Sequence, residues 1–80
     1  MTKVELRLFG DLRYYVKDLR LGEAYILEVE RDCTIDELMR NLRIPCDVVK
    51  IILVNGRSSD VSYTLRDNDR LACFPPIAGG

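Results

Sequence analysis

The chain has 80 residues, of which 48% are apolar and 31% are charged. This length suffices for one small domain, which buries only about 60% of its unfolded surface and leaves little room for an enclosed active site. Twelve basic residues against thirteen acidic ones give a net charge of -1. This composition excludes a positive electrostatic potential strong enough to bind nucleic acid or an anionic membrane. We therefore expect a packed globular domain whose partners are proteins.

Targeting segments and metal sites receive no support from the sequence. The longest apolar run, residues 51–54, is far shorter than the ~20 residues of a bilayer crossing, and residues 1–10 alternate charged and apolar side chains, unlike a signal peptide. We expect a cytoplasmic protein that contacts no membrane. The three cysteines, Cys33, Cys46 and Cys73, lie far apart in a chain without histidine, so neither a disulfide framework nor a metal site is predicted.

The first half of the chain predicts two strands joined by a helical turn. Residues 3–9 and residues 24–30 both alternate between two faces, which is typical of half-buried strands. Gly10 ends the first strand, and residues 11–22 carry apolar side chains at helical spacing, which predicts a helical turn and a loop. The side chains expected to face inward are Val4, Leu6, Leu8, Tyr25, Leu27 and Val29.

A helix is predicted to begin after Thr34. Glu37 follows Thr34 by three residues, and in such a capping box each side chain accepts a hydrogen bond from a backbone N–H of the other residue. Pro45 prevents the helix from continuing. The apolar side chains form one face, at the spacing of an amphipathic helix that covers a sheet, and they are Ile35, Leu38, Met39 and Leu42.

The second half predicts further strands and turns. Residues 48–54 are apolar and β-branched, which favours a central strand, and the pair Asn55-Gly56 ends it in a turn. After a polar segment, Val61 and Tyr63 predict a short edge strand, and residues 67–69 predict a turn.

Residues 70–74 form the last predicted strand, with Leu71 and Cys73 on one face and Ala72 and Phe74 on the other. Cys73 is interpreted as a small buried apolar residue rather than a reactive thiol. The order of elements predicts an α+β domain in which one main helix packs across a mixed sheet.

The end of the chain is its most distinctive segment. Pro75-Pro76 stops ladder pairing and forms a rigid stalk, and Gly79-Gly80 lacks side chains that would keep a partner away from the terminal carboxylate. A frayed end is the alternative interpretation. We predict that Phe74 either contacts a partner through an exposed apolar surface or packs on the sheet.

Residues 64–80, TLRDNDRLACFPPIAGG, resemble the end of the MoaD/ThiS sulfur-carrier family, and most of all its MoaD members, the small subunits of molybdopterin synthase. Residues 26–42 resemble that family's strand-to-helix segment, and residues 54–56 its strand and turn. The resemblance implies a ubiquitin-like β-grasp domain over residues 1–76, followed by a flexible tail at residues 77–80.

The resemblance also implies a mechanism in which partner enzymes supply the catalysis. An E1-like enzyme uses ATP to adenylate the Gly80 carboxylate, and sulfur then replaces one oxygen to give a thiocarboxylate. The large subunit of molybdopterin synthase, or another sulfur acceptor, binds the tail, and the carrier itself holds no cofactor and no metal. The residues implied in partner binding are Phe74, Pro75, Pro76, Ile77, Ala78 and Gly79.

Three other functions stay open at the level of sequence. A sulfur carrier for thiazole synthesis differs only in its acceptor. A ubiquitin-like modifier would end as an isopeptide between Gly80 and a lysine of another protein. A plain interaction domain would not use Gly79 and Gly80 at all.

Overall fold

The computed structural model describes residues 1–16 and 24–76. Within these ranges the chain forms a five-stranded sheet of order β2-β1-β5-β3-β4, together with an α-helix and two 3₁₀-helices. β1 and β5 run parallel, and the other neighbouring strands run antiparallel. The strands are β1 (Thr2–Leu8), β2 (Tyr25–Val29), β3 (Ile51–Val54), β4 (Arg57–Ser59) and β5 (Asp69–Phe74), the α-helix is α1 (Ile35–Asn41), and the 3₁₀-helices span Gly10–Tyr15 and Cys46–Val48.

The predicted α+β β-grasp fold is confirmed. One face of the sheet packs against α1, and the apolar side chains of both form a single core. The alternating strands and the amphipathic helix each direct their apolar side chains toward this core. The other face of the sheet, called here the outer face, carries the charged residues of β1. Among the described residues, we find no helix that combines the length and the apolar character needed to cross a bilayer.

The two predicted strands of the first half are confirmed, with one difference in burial. Leu27 and Val29 face the core as predicted, whereas Tyr25 remains 37% exposed although it pairs with Leu6. β2 is an edge strand, so the first side chain of its inward face lies at the margin of the core. The predicted helical turn is the 3₁₀-helix Gly10–Tyr15, and the remainder of the segment predicted as a loop, residues 17–22, lies outside the described residues.

The helix begins at the predicted capping box. The Thr34 hydroxyl accepts a hydrogen bond from the Glu37 amide at 3.2 Å, and the Glu37 carboxylate accepts one from the Thr34 amide at 3.2 Å. The helix ends before Pro45 is reached, because Arg43 adopts a left-handed φ of 60°. The amides of Arg43 and Ile44 then donate to the carbonyls of Arg40 and Met39, which is the Schellman pattern of helix termination.

The prediction of a strand over residues 48–54 is wrong at its start, because Cys46–Val48 forms a 3₁₀-helix and β3 begins only at Ile51. β3 is paired on both sides, but β5 is the central strand of the sheet. The predicted turn at Asn55-Gly56 is confirmed: both residues have positive φ, 53° and 83°, as a two-residue hairpin turn of type I′ requires.

The predicted edge strand at Val61 and Tyr63 is wrong, and the polar segment Arg57–Ser59 forms the edge strand instead. The carbonyls of Val61 and Tyr63 accept hydrogen bonds from the amides of Asp36 and Ile35, at 2.9 and 3.0 Å. The first amides of an α-helix have no partner within the helix, so this segment is held against the helix start rather than in the sheet.

The start of β5 is fixed by a buried carboxylate. Asp69 is only 5% exposed, and its oxygens accept hydrogen bonds from the Asn55 side chain, the Tyr63 hydroxyl and the Arg66 amide at 2.8 to 2.9 Å. The Asn55 side-chain oxygen accepts from the Arg70 amide in turn. These contacts join the hairpin turn, the segment before β5 and β5 itself into one network.

Candidate functional site

The candidate site lies where β5 ends and the chain continues into Pro75-Pro76. β5 is the central strand, and near its end Cys73 pairs with Leu8 of β1 while Phe74 pairs with Ile51 of β3. Proline has no N–H to donate, so the ladder cannot extend through residues 75 and 76. The last ladder pairs of β5 therefore determine the position of the backbone directly before Pro75-Pro76.

Phe9 stacks on Phe74. The two ring centroids lie 4.5 Å apart with an angle of only 5° between the ring planes, and the Phe9 amide donates to the Cys73 carbonyl at 3.1 Å. The parallel pairing of β1 with β5 brings these residues side by side, because Phe9 follows Leu8 just as Phe74 follows Cys73. Such a stacked pair contributes about 0.5–1.5 kcal/mol beyond the burial of its area.

Gly10 lies directly under the ring of Pro75. Its φ is +58°, and a Cβ built at this position would lie 2.7 Å from Pro75 Cγ and 3.3 Å from Pro75 Cδ. A residue other than glycine would therefore meet both an unfavourable backbone conformation and a steric overlap. The close approach of these two residues depends on the missing side chain.

The carbonyl of Phe74 provides a third constraint. It accepts a hydrogen bond from the Lys50 amide at 2.8 Å, which fixes the peptide unit that precedes Pro75. Three contacts from two separate chain segments, Phe9-Gly10 and Lys50, thus hold the residue pair Phe74-Pro75. We call this arrangement the exit clamp, formed by Phe9, Gly10, Lys50, Phe74 and Pro75.

Part of the exit clamp belongs to an apolar surface near the end of β5. Ile51 is 45% exposed, Phe9, Phe74 and Pro75 are half-buried, and Pro76 is exposed. Phe74 lies opposite the buried face of Leu71 and Cys73, as predicted. We call Phe9, Ile51, Phe74, Pro75 and Pro76 the tail-base patch, and its aromatic and aliphatic composition is typical of the core of a protein interface.

Charged residues border this patch along the outer face. The Glu5 carboxylate lies 3.5 Å from the Arg7 guanidinium and 3.5 Å from the Arg70 guanidinium. Solvent-exposed pairs of this kind contribute little to stability, about 0–1 kcal/mol, but charges at the rim of an interface influence the orientation of a partner.

The chemistry of the site does not reside in Cys73. This cysteine is fully buried, and burial raises the pKa of its thiol from 9.0 to about 12, so it is neutral and inaccessible at physiological pH. Burial, with the nearby carboxylates of Glu37 and Glu30, also raises the pKa of Cys33. Across residues 1–16 and 24–76, no three acidic or cysteine side chains are placed to hold a metal ion.

The structure brings together only part of the predicted site. Phe74, Pro75 and Pro76 lie in the exit clamp and the tail-base patch, whereas Ile77, Ala78, Gly79 and Gly80 lie outside the described residues. The division between a domain at 1–76 and a tail at 77–80 therefore stays a prediction. Phe9, Gly10 and Lys50 were not predicted as site residues. One signal in the sequence could have indicated Phe9: it is an aromatic residue that continues the charged, outward-facing positions of β1.

The strand order, the mixed pairing and the single α-helix of the described residues define a ubiquitin-like β-grasp protein. The chain belongs to the Mut7-C ubiquitin family, whose sequence profile matches residues 1–78. No curated protein sequence matches this chain significantly.

Solved structures with this fold include a small archaeal modifier protein and subunits of molybdopterin-converting factors. The H. volcanii small archaeal modifier protein 1 has a TM-score of 0.72 at 21% identity, over 96% of this chain and 100% of that one. A putative molybdopterin converting factor subunit 1 from Pyrococcus furiosus has a TM-score of 0.72 at 20% identity, over 96% and 100%. The resemblance to MoaD proteins that the sequence indicated is confirmed at the level of the fold.

A third similar structure comes from a complex. It is a chain of the complex of subunits 1 and 2 of the molybdopterin-converting factor from Helicobacter pylori 26695, with a TM-score of 0.63 at 23% identity, over 99% of this chain and 100% of that one. That protein of the same fold is thus found paired with a second subunit.

Proposed function

We propose that this protein is a sulfur carrier in which the Gly80 carboxylate is adenylated, converted to a thiocarboxylate and used to donate sulfur in the synthesis of molybdopterin, the ligand of molybdenum or tungsten. The observation that carries the proposal is the ending of β5: the central strand leads directly into Pro75-Pro76 and then to Gly79-Gly80. The carrier acts in the cytoplasm and supplies the reacting group, while its partners supply catalysis.

The chemistry needs an activated terminal carboxylate. A carboxylate is a poor electrophile, so a carboxylate oxygen first attacks the α-phosphorus of ATP, which releases pyrophosphate and gives an acyl adenylate. Hydrosulfide then attacks the carbonyl carbon, AMP leaves, and a thiocarboxylate remains. Glycine at both final positions suits this sequence because no Cβ obstructs the approach of the partner's backbone to the carbonyl.

The tail-base patch supports the need for a partner. Its half-exposed rings and Ile51 offer an apolar docking surface next to the exit of the tail, so one partner can bind the domain and receive the tail at the same time. We propose two such partners: the E1-like adenylating enzyme and the large subunit of molybdopterin synthase.

The proposal is tested by the intact mass of the protein after incubation with ATP, its E1-like enzyme and sulfide. The expected result is the exchange of one oxygen for sulfur, located at Gly80 by fragmentation, and transfer of that sulfur to the pterin precursor when the large subunit is added. The intact mass of the untreated sample establishes whether Gly80 carries a free carboxylate.

Two variants control this experiment. Addition of one alanine after Gly80 displaces the carboxylate and should abolish the exchange, whereas Glu30→Gln, an exposed change far from the tail in the sequence, should leave it intact. Sulfur exchange at an undiminished rate in the extended variant would contradict the proposed mechanism.

A second candidate is a ubiquitin-like modifier, favoured by the shared fold with the H. volcanii small archaeal modifier protein 1. Activation would be the same, but a lysine amine rather than sulfur would attack the adenylate, and an isopeptide would form. After digestion with trypsin, which cleaves after Arg70, branched peptides carrying residues 71–80 on lysines, with no exchange of oxygen for sulfur, would favour this function over sulfur transfer.

A further inference from the structure

The contacts at Pro75 are tighter than strand termination requires. A proline alone ends ladder pairing, yet here the ring also rests on a glycine with φ of +58°, and the preceding ring is stacked on Phe9. Both neighbours belong to one dipeptide, Phe9-Gly10, at the junction between β1 and the following 3₁₀-helix. The dipeptide therefore constrains the position and the direction of the stalk together.

Under the proposed function, the direction of the stalk matters because only a short segment lies between it and the reacting carboxylate of Gly80. Residues 77–80 are four residues, and four residues span at most about 14 Å when fully extended. A carboxylate delivered over so short a distance reaches a partner's active site only if the stalk starts in the right direction. Restriction of that direction before binding also lowers the entropy that is lost when the reacting groups are aligned.

We infer that Phe9 and Gly10 are positioning residues for the transfer reaction: by holding Phe74 and Pro75 they aim the tail into the active site of the activating enzyme. This inference rests on the proposed function. It assigns a role to a dipeptide that lies at the opposite end of the sequence from the reacting carboxylate and that acts through its contacts with Phe74 and Pro75.

The sharpest test compares two glycines. Gly56 also has a positive φ, +83°, but a Cβ added there meets no atom within 4 Å. Gly10→Ala and Gly56→Ala therefore introduce a similar backbone strain, and only Gly10→Ala also displaces Pro75. Gly56→Ala should lower Tm by about 5 °C and Gly10→Ala by at least as much, so the assays are run at a temperature at which circular dichroism shows both variants to be fully folded.

The kinetic readout is ATP–pyrophosphate exchange by the E1-like enzyme. Because the domain surface still docks, Gly10→Ala should leave KM within about twofold of the unsubstituted protein and lower kcat about tenfold, whereas Gly56→Ala should change neither. Equal kcat values for the two variants would overturn the positioning role. A merely structural role would predict no such split between KM and kcat in folded proteins.

A double-variant cycle identifies the contact responsible. Pro75→Ala removes the Cγ and Cδ atoms that the new Cβ would meet. In that background Gly10→Ala should lower kcat by no more than about twofold, because the overlap has been removed. A further tenfold loss in the double variant would show that Gly10 acts by another route and would overturn the inference.

An NMR measurement on the free protein separates this inference from the proposed function. Gly10→Ala should shift the proton resonances of Pro75 and Pro76, and Gly56→Ala should not. If the unsubstituted protein is not adenylated, the sulfur-carrier proposal fails, while the NMR comparison still decides whether Gly10 sets the stalk position. Unchanged Pro75 and Pro76 resonances in Gly10→Ala would overturn the positioning role by themselves.

Discussion

The two ends of β5 are held by different physical means. At its start, the buried Asp69 carboxylate accepts hydrogen bonds from three groups of the same chain, so its polar atoms are satisfied internally. At its end, Phe74 is held by a ring stack and by a backbone hydrogen bond, and it remains half-exposed next to Ile51. The first arrangement is closed to partners, whereas the second leaves apolar surface that a partner can cover.

This difference indicates a division of labour along one strand. A buried carboxylate is costly to remove from water, so its network contributes specificity and stability only when every partner is present. Stacked aromatic rings can stay partly exposed at a lower cost in free energy than an unpaired buried carboxylate, and they are also suited to binding a partner protein. We therefore expect changes near Asp69 to affect mainly stability and changes near Phe74 to affect mainly function.

The largest expected effect follows from Asp69→Ala. The substitution leaves the Tyr63 hydroxyl, the Asn55 side-chain amide and the Arg66 amide without their acceptor. We expect the free energy of unfolding in urea to fall by about 3 kcal/mol or more. Asp47→Ala, at an exposed position, should change it by less than about 0.5 kcal/mol.

The same variant tests the division between the two ends. At a temperature where Asp69→Ala is fully folded by circular dichroism, sulfur loading of Gly80 should proceed at the rate of the unsubstituted protein. A large loss of loading rate in the folded variant would show that the two ends of β5 are coupled.

Alkaline pH should weaken the core next to the exit clamp. The pKa of Cys73 is raised by burial from 9.0 to about 12, so the unfolded chain releases this thiol proton at a lower pH than the folded chain. Stability from the buried neutral thiol is present in full below pH 9 and declines between pH 9 and about pH 12. The expected loss at pH 10 is about 1.4 kcal/mol relative to neutral pH.

Urea titrations of the unsubstituted protein and of Cys73→Ala across this pH range isolate the effect of one thiol. The pKa of Cys33 and that of Tyr63 are also raised, so both proteins should lose some stability, but the unsubstituted protein should lose more. Parallel stability curves for the two proteins would show that the Cys73 thiol ionises as readily in the folded state as in the unfolded state.

The smallest expected effect on stability is that of Phe9→Leu. Leucine keeps apolar contact but removes the stack at 4.5 Å, so the free energy of unfolding should fall by about 1 kcal/mol. Sulfur loading should nevertheless slow about threefold at saturating E1-like enzyme, because Phe74 and the stalk are held less firmly. Tyr15→Leu, a change of a more exposed ring in the adjoining 3₁₀-helix, provides the matched control and should preserve the loading rate.

Local patterns in the sequence predicted much of the fold. The alternation in β1 and β5, the capping box at Thr34 and the Asn55-Gly56 turn each depend on interactions within a few residues, and all are confirmed. The Phe74-Pro75-Pro76 segment of the candidate site was predicted for the same reason, because prolines restrict their own backbone whatever surrounds them.

The failures concern residues whose state depends on distant partners. Val61 and Tyr63 are residue types that favour strands, but their carbonyls accept hydrogen bonds from backbone amides at the start of α1. Conversely, the polar segment Arg57–Ser59 forms an edge strand because the hairpin turn aligns it with β3. Strand propensity is weak compared with the demand for hydrogen-bond partners, so composition alone misassigned both segments.

By itself the sequence determined the class of fold, the position of the helix and the segment where chemistry is expected, since these follow from periodicity, from caps and from residue types along the chain. Only the tertiary structure decided that β5 lies in the centre of the sheet and that Phe9 and Gly10 hold Phe74 and Pro75. The physical reason is the parallel pairing of β1 with β5: it joins residues more than sixty positions apart, and no local pattern encodes that pairing.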